Sequence, residues 1–379
     1  MIKFFIACFL IIPWVAIPNN ADCMRLPKET FFDLTCLGMI CLALFYGLRF
    51  FYRNKYLSWL TAWVFFSITL NWFLPMTIFR ENQPFNIGTL PATMHFILGL
   101  GLSFVALSYF DKEDYAKIAK AVCFSAVIIT CFGMMQVLGF DPFGRIAKWK
   151  DVNFELRIPE FVAMMDNRNN IGNYLCLSLP FFLFFKEKKY KICFVLVFMG
   201  VLLSKSILAA VASVVGVSIY LLLNYRNIKM QVAILSGSIL TAILVFFQPH
   251  VRDVLLSGFS GRIECWKRIL IHIKDNPLFG QGLGIVKFWN IKIDTSRWLN
   301  CHNDYLEIIC MIGILGLFLL LLVIINSLRN FNYKPDNKIG FCYLASFVSF
   351  LVLMTGSFPV EIAPTALFGL LTWWGVEKL

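Results

Sequence analysis

Residues 308–325 read IICMIGILGLFLLLLVII, eighteen in a row with no charge, amide or proline. A helix rises about 1.5 Å per residue, so a run of this kind matches the hydrocarbon core of a bilayer. Lipid offers no partner to backbone N–H and C=O groups, and a helix satisfies them within one segment. Comparable runs recur along the 379 residues, continuous rather than alternating, which argues against a β-barrel. With 59% hydrophobic residues and a mean hydropathy of +0.74, the chain has more apolar surface than a soluble fold of this length can hide. The expected fold class is all-α, a polytopic membrane protein.

Twelve stretches qualify as spans: 4–17, 31–47, 57–79, 92–110, 118–139, 171–185, 192–203, 206–223, 230–247, 304–326, 339–357 and 362–376. The seventh and eighth share one apolar stretch broken by Ser204, Lys205 and Ser206. The first is short and follows Lys3, as a signal peptide would, but no small-x-small cleavage site follows it. A retained first helix is expected. Lysine and arginine in short loops mark the cytoplasmic side. With the N-terminus inside, that side holds Arg49, Arg53, Lys55, Lys112, Lys117, the KEKKYK run at 186–191, Arg226, Lys229, Arg329, Lys334 and Lys338. Both termini are then cytoplasmic, and the long loops 140–170 and 248–303 face outward. Three regions follow: an N-terminal bundle of about nine helices at 1–247, a large outer loop at 248–303, and about three helices at 304–379.

The outer loop 248–303 is basic: Arg252, Arg262, Lys267, Arg268, Lys274, Lys287, Lys292 and Arg297 stand against Asp253, Glu264, Asp275 and Asp294. The positive-inside rule does not account for that excess. An anionic partner such as a phosphate-bearing lipid would, and a solvated basic surface is the alternative. Most of the twelve cysteines lie in spans and act as small hydrophobes. Cys23, Cys265 and Cys301 face the exterior, where a Cys265–Cys301 bridge is one possibility. The chain has no CxxC, no Cys/His spacing typical of zinc and no GxxxxGK[ST] loop. No metal, cofactor or nucleic acid is expected, and ATP-driven transport by this chain alone is disfavoured.

A loop of this length is functional or disordered, and this one is not of low complexity. SGRIECWKRILIHIK at 260–274 places Ile263, Trp266, Ile269, Leu270 and Ile273 along one helical face, with Arg262, Glu264, Lys267, Arg268 and Lys274 largely on the other. Ser260 suits a cap, and Asn276-Pro277 ends the pattern. A basic amphipathic helix with a tryptophan fits the headgroup region, or packs on the bundle. PLFGQGLG follows, a flexible turn that allows close backbone approach rather than a dinucleotide fingerprint. A polar stretch then leads through Trp289, Arg297 and Trp298 to His302, Asn303 and Asp304 at the mouth of the tenth span.

The order GRxxxW (Gly261, Arg262, Trp266), NPLFGQGLG, then HNxYLE with a following GxxG (His302, Asn303, Tyr305, Leu306, Glu307, Gly313, Gly316) resembles the O-antigen ligase and polymerase family. The close part of the resemblance runs from 258 to 317. MMDNRNNIGNYLCLSLP at 164–180 is similar to the family's asparagine-led entry to a middle helix, with Asn170 as the equivalent. In LLSKSILAA at 202–210, Lys205 stands where relatives often carry the arginine of a Ser-Arg pair. It keeps the charge and loses the planar fork that binds phosphate bidentately. Met311 is a second departure, at a place where many relatives have an acid.

The resemblance implies a GT-C-like glycosyltransferase, independent of metal, embedded in the bacterial inner membrane with the 248–303 loop periplasmic. Such proteins move a glycan from an undecaprenyl diphosphate carrier to lipid A–core, to a second carrier-linked glycan or to a protein side chain. A diphosphate leaving group calls for positive charge, with Arg262 and Lys205 as first candidates and Arg268 and Arg168 behind them. The acceptor hydroxyl must lose a proton, and His302 titrates near neutral pH as a free side chain. Asn303, Asn170 and Trp266 complete the candidate binding residues, although Asn303 and Asp304 also suit a helix start. His95 in the fourth span, His250 at the start of the loop and His272 on the amphipathic helix are weaker candidates. A transporter or flippase for lipid-linked sugars and a non-catalytic scaffold are the rival classes. No clear internal repeat of the transporter kind is visible.

Overall fold

The computed structural model describes residues 1–15, 25–46, 55–73, 89–140, 161–165, 167–225, 227–246, 261–274, 276–283, 291–293, 296–298 and 301–379. Cys23, His250, Ser260 and Trp289, together with most of the loop 140–170 and residues 248–260, lie outside them.

Each of the twelve apolar stretches overlaps a helix among its described residues. In chain order these are α1 (Ile2–Ile11), α2 (Arg25–Phe45), α3 (Lys55–Phe73), α4 (Thr89–Tyr109), α5 (Lys112–Val137), α6 (Arg168–Phe184), α7 (Lys188–Leu203), α8 (Ile207–Asn224) and α9 (Ile228–Phe246). The 248–303 loop contributes α10 (Arg262–Ile273) and a short antiparallel pair, β1 (Ile291–Ile293) and β2 (Ser296–Trp298). α11 (Asp304–Asn330), α12 (Lys338–Leu353) and α13 (Ala363–Lys378) follow. Among the described residues, α5, α8 and α11 are long and apolar enough to cross a membrane.

The polar breaks between apolar stretches serve as caps. Asp111 and Asp114 form a reciprocal capping box at the start of α5. Asn167 Oδ1 accepts the Asn169 N–H at 2.8 Å before α6, and Asn337 Oδ1 accepts the Gly340 N–H at 3.3 Å before α12. Ser206 caps α8 by accepting the Ala209 N–H at 3.4 Å, while Lys205 takes a left-handed φ of 53°. The Ser204–Ser206 break therefore separates two helices rather than interrupting one.

α12 runs through the middle of the bundle. Ser346 Oγ donates to Leu177 O of α6 at 2.7 Å, and Ser349 Oγ donates to Ala212 O of α8 at 2.8 Å. Small residues let helices approach closely where no hydrophobic drive separates lipid from protein, and hydroxyls bond across the contact. A Cβ at Gly216 of α8 would collide with Ser349. Tyr343 donates to Tyr115 O of α5 at 2.8 Å, and Phe181 and Tyr343 pack edge to face at 4.8 Å. At one end of the bundle, Asn337 Nδ2 donates to Leu379 O at 2.9 Å, and Phe5 packs on Phe110 and Trp374. Both chain ends lie there, opposite the end that carries His302.

The glycine-rich turn has a specific seat. α11 breaks at Gly313, with φ 75° and ψ 177°. The turn 276–283 enters that break: Gln281 and Gly282 donate backbone N–H groups to Cys310 O and Met311 O at 2.7 and 3.0 Å, and Ile314 donates to Pro277 O at 2.8 Å. A Cβ on Gly313 would strike Leu278 O, and one on Gly280 would strike the Met311 carbonyl. α3 seals the joint, with Trp63 Nε1 donating to Ile312 O at 2.9 Å and Ser67 to Phe279 O at 3.2 Å. The glycines thus permit a backbone-to-backbone seam that no side chain would leave open.

Candidate functional site

α10 is aligned by its thiol side. Cys265 and Ile269 are buried against Cys301 and Cys310, with Leu306 and Ile273 around them. Trp266 Nε1 donates to Cys301 O at 2.9 Å, which pins α10 to the residue before His302. The buried stripe is rotated from the expected one: Ile263 and Leu270 are exposed. The expected face did not include Cys265, yet it supplies the apolar contact here. Cys265 and Cys301 are free thiols within this cluster, so no bridge joins them. Burial pushes the Cys265 thiol up to about 11 and raises Cys301 as well.

His302 has a left-handed φ of 49°, and its ring meets Phe358 edge to face at 4.8 Å. The residues after it are bound to the loop between α12 and α13. Asn303 Oδ1 caps α11 by accepting the Leu306 N–H at 3.1 Å, while Asn303 Nδ2 donates to Thr355 O at 2.9 Å. Asp304 N–H donates to Met354 O at 3.0 Å, and Asp304 Oδ2 accepts the Val360 N–H at 3.2 Å. The start of α11 and the 354–362 loop are effectively one piece.

Arg262, the first residue of α10, reaches the same place. A Cβ at Gly356 would lie 3.9 Å from Arg262 Nη1 and 3.4 Å from Leu208 Cδ2, so the missing side chain brings the guanidinium and the start of α8 together. Asn173 Nδ2 of α6 donates to Ser357 Oγ at 2.9 Å. A Cβ at Gly172 would sit 2.6 Å from Ser204 Oγ, beside Lys205. The first turns of α6, α8, α10 and α11 therefore converge on one end of the bundle.

His302 and Arg262 act on each other electrically. Burial, then the Arg262 charge, pushes the His302 imidazole down to about 4, opposed by Glu361. Burial also lowers Arg262 from its ordinary value. The imidazole is neutral at physiological pH and able to accept a proton.

Of the residues singled out from sequence, His302, Arg262, Trp266 and Asn303 come together directly. Lys205 is exposed in the turn before α8, and Arg168 is exposed at the start of α6, both at the same end of the bundle. Asn170 is buried, its Nδ2 donating to Met165 O at 3.2 Å. Both polar atoms of Asn303 serve the backbone, which favours a structural part for it. Arg268 lies on the exposed side of α10, paired with Glu264 at 3.2 Å. Sequence reading missed Glu361, Phe358 and the Asn173–Ser357 contact. The visible signal was an acid between Pro359 and Pro364 in an otherwise apolar connector. Among the described residues, no group of three or more His, Cys, Asp or Glu side chains is placed to hold a metal ion.

A helical bundle with apolar spans and a half-buried arginine and histidine at one end defines a membrane protein with a polar site at its surface. Residues 192–321, from α7 to the middle of α11, match the family model described as O-antigen ligase. This segment holds Lys205, Arg262, Trp266, Arg268, His302 and Asn303, and the match carries the resemblance to the O-antigen ligase and polymerase family. No curated protein matches the chain.

Proposed function

We propose that this protein is an O-antigen ligase-like glycosyltransferase of the bacterial inner membrane, moving a glycan from undecaprenyl diphosphate to lipid A–core or to a growing polysaccharide. The family match supports a ligase- or polymerase-type glycosyltransferase in general terms. The observation that carries the specific reading is the meeting of half-buried Arg262 and His302 on the 354–362 loop, the guanidinium beside Gly356 and the imidazole on Phe358.

In this reading the acceptor hydroxyl gives its proton to His302 as its oxygen attacks the anomeric carbon. The anomeric C–O bond breaks, and its electron pair leaves on the diphosphate, where Arg262 stabilises the developing charge. Lys205 and Arg168 extend the positive field at the converging helix starts, Arg268 adds to it from the flank, and Asn170 shapes the entry to α6. Cation and base supply the needed chemistry, so the reaction runs without metal or cofactor.

The architecture belongs to the same proposal: about twelve spans, both termini cytoplasmic, the 248–303 loop periplasmic, and regions 1–247, 248–303 and 304–379. Convergence of the site at the end opposite both termini supports it. The test is transfer by the purified protein in lipid, with undecaprenyl-diphosphate-linked glycan as donor and lipid A–core or a second carrier-linked glycan as acceptor. Product that appears with the wild type and is lost in His302→Gln supports the reading. Movement of donor across the bilayer without transfer would replace it with a flippase.

A further inference from the structure

Arg262 is not the only charged group that acts on His302. Glu361 ends the turn that begins at Phe358, its N–H donating to Phe358 O at 3.1 Å, and Phe358 carries the ring against which His302 rests. That turn is held on both sides. The Val360 N–H is bound to Asp304 Oδ2 at 3.2 Å, and the Thr365 hydroxyl donates to Pro359 O at 2.9 Å. Below it on α11, Glu307 Oε2 accepts the N–H of Cys301 at 3.3 Å.

The titratable and charged groups around His302 are thus Arg262 from α10, Cys301 beside it, Asp304 and Glu307 from α11, and Glu361 from the 354–362 loop. Arg262 opposes a proton on the imidazole, and Glu361 favours one. They pull in opposite directions on one ring, and the donor would change only one of them. A bound diphosphate neutralises Arg262 and leaves Glu361 untouched.

We propose that Glu361 is a positioning carboxylate that stabilises the imidazolium formed when His302 takes the acceptor proton, so that the base becomes strong only when donor is bound. This rests on the transferase reading above. The acceptor O–H bond breaks as an N–H bond forms on His302, the acceptor oxygen joins the anomeric carbon, and the diphosphate departs with the bonding pair. The imidazolium then releases its proton to water. Free enzyme keeps a weak base beside the Arg262 charge, which limits wasteful reaction before donor arrives.

The experiment measures transfer by the full chain in lipid vesicles with undecaprenyl-diphosphate-linked glycan and each acceptor in turn, as kcat and donor KM between pH 4 and 8. Glu361→Gln should lower kcat about 10- to 100-fold, leave donor KM within about twofold, and move the acid limb of kcat to lower pH. Glu361→Asp should restore the limb and most of kcat. Should Glu361→Gln fail to fold, the Asp variant decides: an acid limb at the wild-type pH with most of kcat kept supports the role, and a loss of kcat of about 10-fold or more despite the retained carboxylate overturns it. A Glu361→Gln enzyme with wild-type kcat and limb, or one that loses kcat with the limb unmoved, also overturns it. Wild-type protein that transfers to neither acceptor removes the transferase reading and this role together, an outcome distinct from transfer that ignores Glu361.

Discussion

His95 and His302 both meet carboxylates, in different ways. His95 on α4 faces two of them from α2, with Nδ1 2.6 Å from Asp33 and Nε2 3.7 Å from Glu29. His302 sits between a cation and a carboxylate, and its ring packs on Phe358. The first arrangement ties two helices together with both ring nitrogens engaged. The second keeps the imidazole neutral while leaving its protonation sensitive to whatever anion arrives at Arg262. Proximity to an acid is common to both; the guanidinium is what makes one of them a candidate base. The largest expected effect tests this directly. His302→Gln and Arg262→Gln should each reduce transfer by about 10²- to 10⁴-fold, the range for loss of a base or of a charge stabiliser. His95→Gln should leave the transfer rate of folded protein within about threefold and lower Tm instead. Equal loss of transfer in all three would abolish the distinction between the sites.

How each histidine is held differs as well. Helix packing brings His95 to α2, whereas the His302 end of α11 depends on a backbone seam below it. Gly313→Ala places a Cβ against Leu278 O at a φ of 75°, so the turn 276–283 must leave its seat. The expected cost is about 3–5 kcal/mol, in the range of severe strain and lost packing. A thermal shift of the purified protein checks it. Gly237→Ala is the control, because nothing lies within 4 Å of its Cβ position, and it should leave stability unchanged or raise it by about 1 kcal/mol.

Hydropathy alone located the helices, because an apolar run of the right length has one stable form in lipid, and the caps at Asn167, Ser206 and Asn303 were local signals of where each begins. Arg262 and His302 were legible through their ordered spacing. Rotation of α10 was not, since its partner face is formed by Cys301 and Cys310, residues that lie far along the chain. Glu361 was hidden for the same reason. Its role depends on the 354–362 loop folding back on Asp304 and Glu307, and no short-range pattern encodes that return. Lys205 ranks ahead of Arg268 in the sequence, and the fold leaves both exposed, Lys205 among the helix starts and Arg268 on the outward side of α10.

The low pKa of His302 predicts a stability effect with a definite sign. Its value falls from 6.5 to about 4 on folding, so the unfolded chain binds the proton more readily between those values. The contribution to stability is present above pH 6.5 and is lost as pH falls toward 4, on the order of 3 kcal/mol in total. Tm should therefore drop across that window in the wild type and drop less in His302→Gln. Arg262→Gln removes one cause of the depression and should shrink the slope. A wild-type slope no steeper than that of His302→Gln would mean that the imidazole is not held neutral.

The smallest effect separates the two arginines of α10. Arg262 is its first residue, half-buried beside Gly356, and Arg268 faces outward in a pair with Glu264 at 3.2 Å. An exposed i,i+4 pair is worth about 0–1 kcal/mol, because water screens it and both side chains lose freedom in making it. Arg268→Ala should thus leave Tm within about 1–2 °C, and as a flanking charge it should raise donor KM by less than about threefold, an effect that fades as salt is added. Arg262→Gln, by contrast, should act on kcat with a weaker salt dependence, because a half-buried charge is screened less than an exposed one. A tenfold rise in donor KM for Arg268→Ala at high salt would move the diphosphate to the outer face of α10. Arg262 would then act on the imidazole alone, and the neutral state of His302 would be its whole contribution.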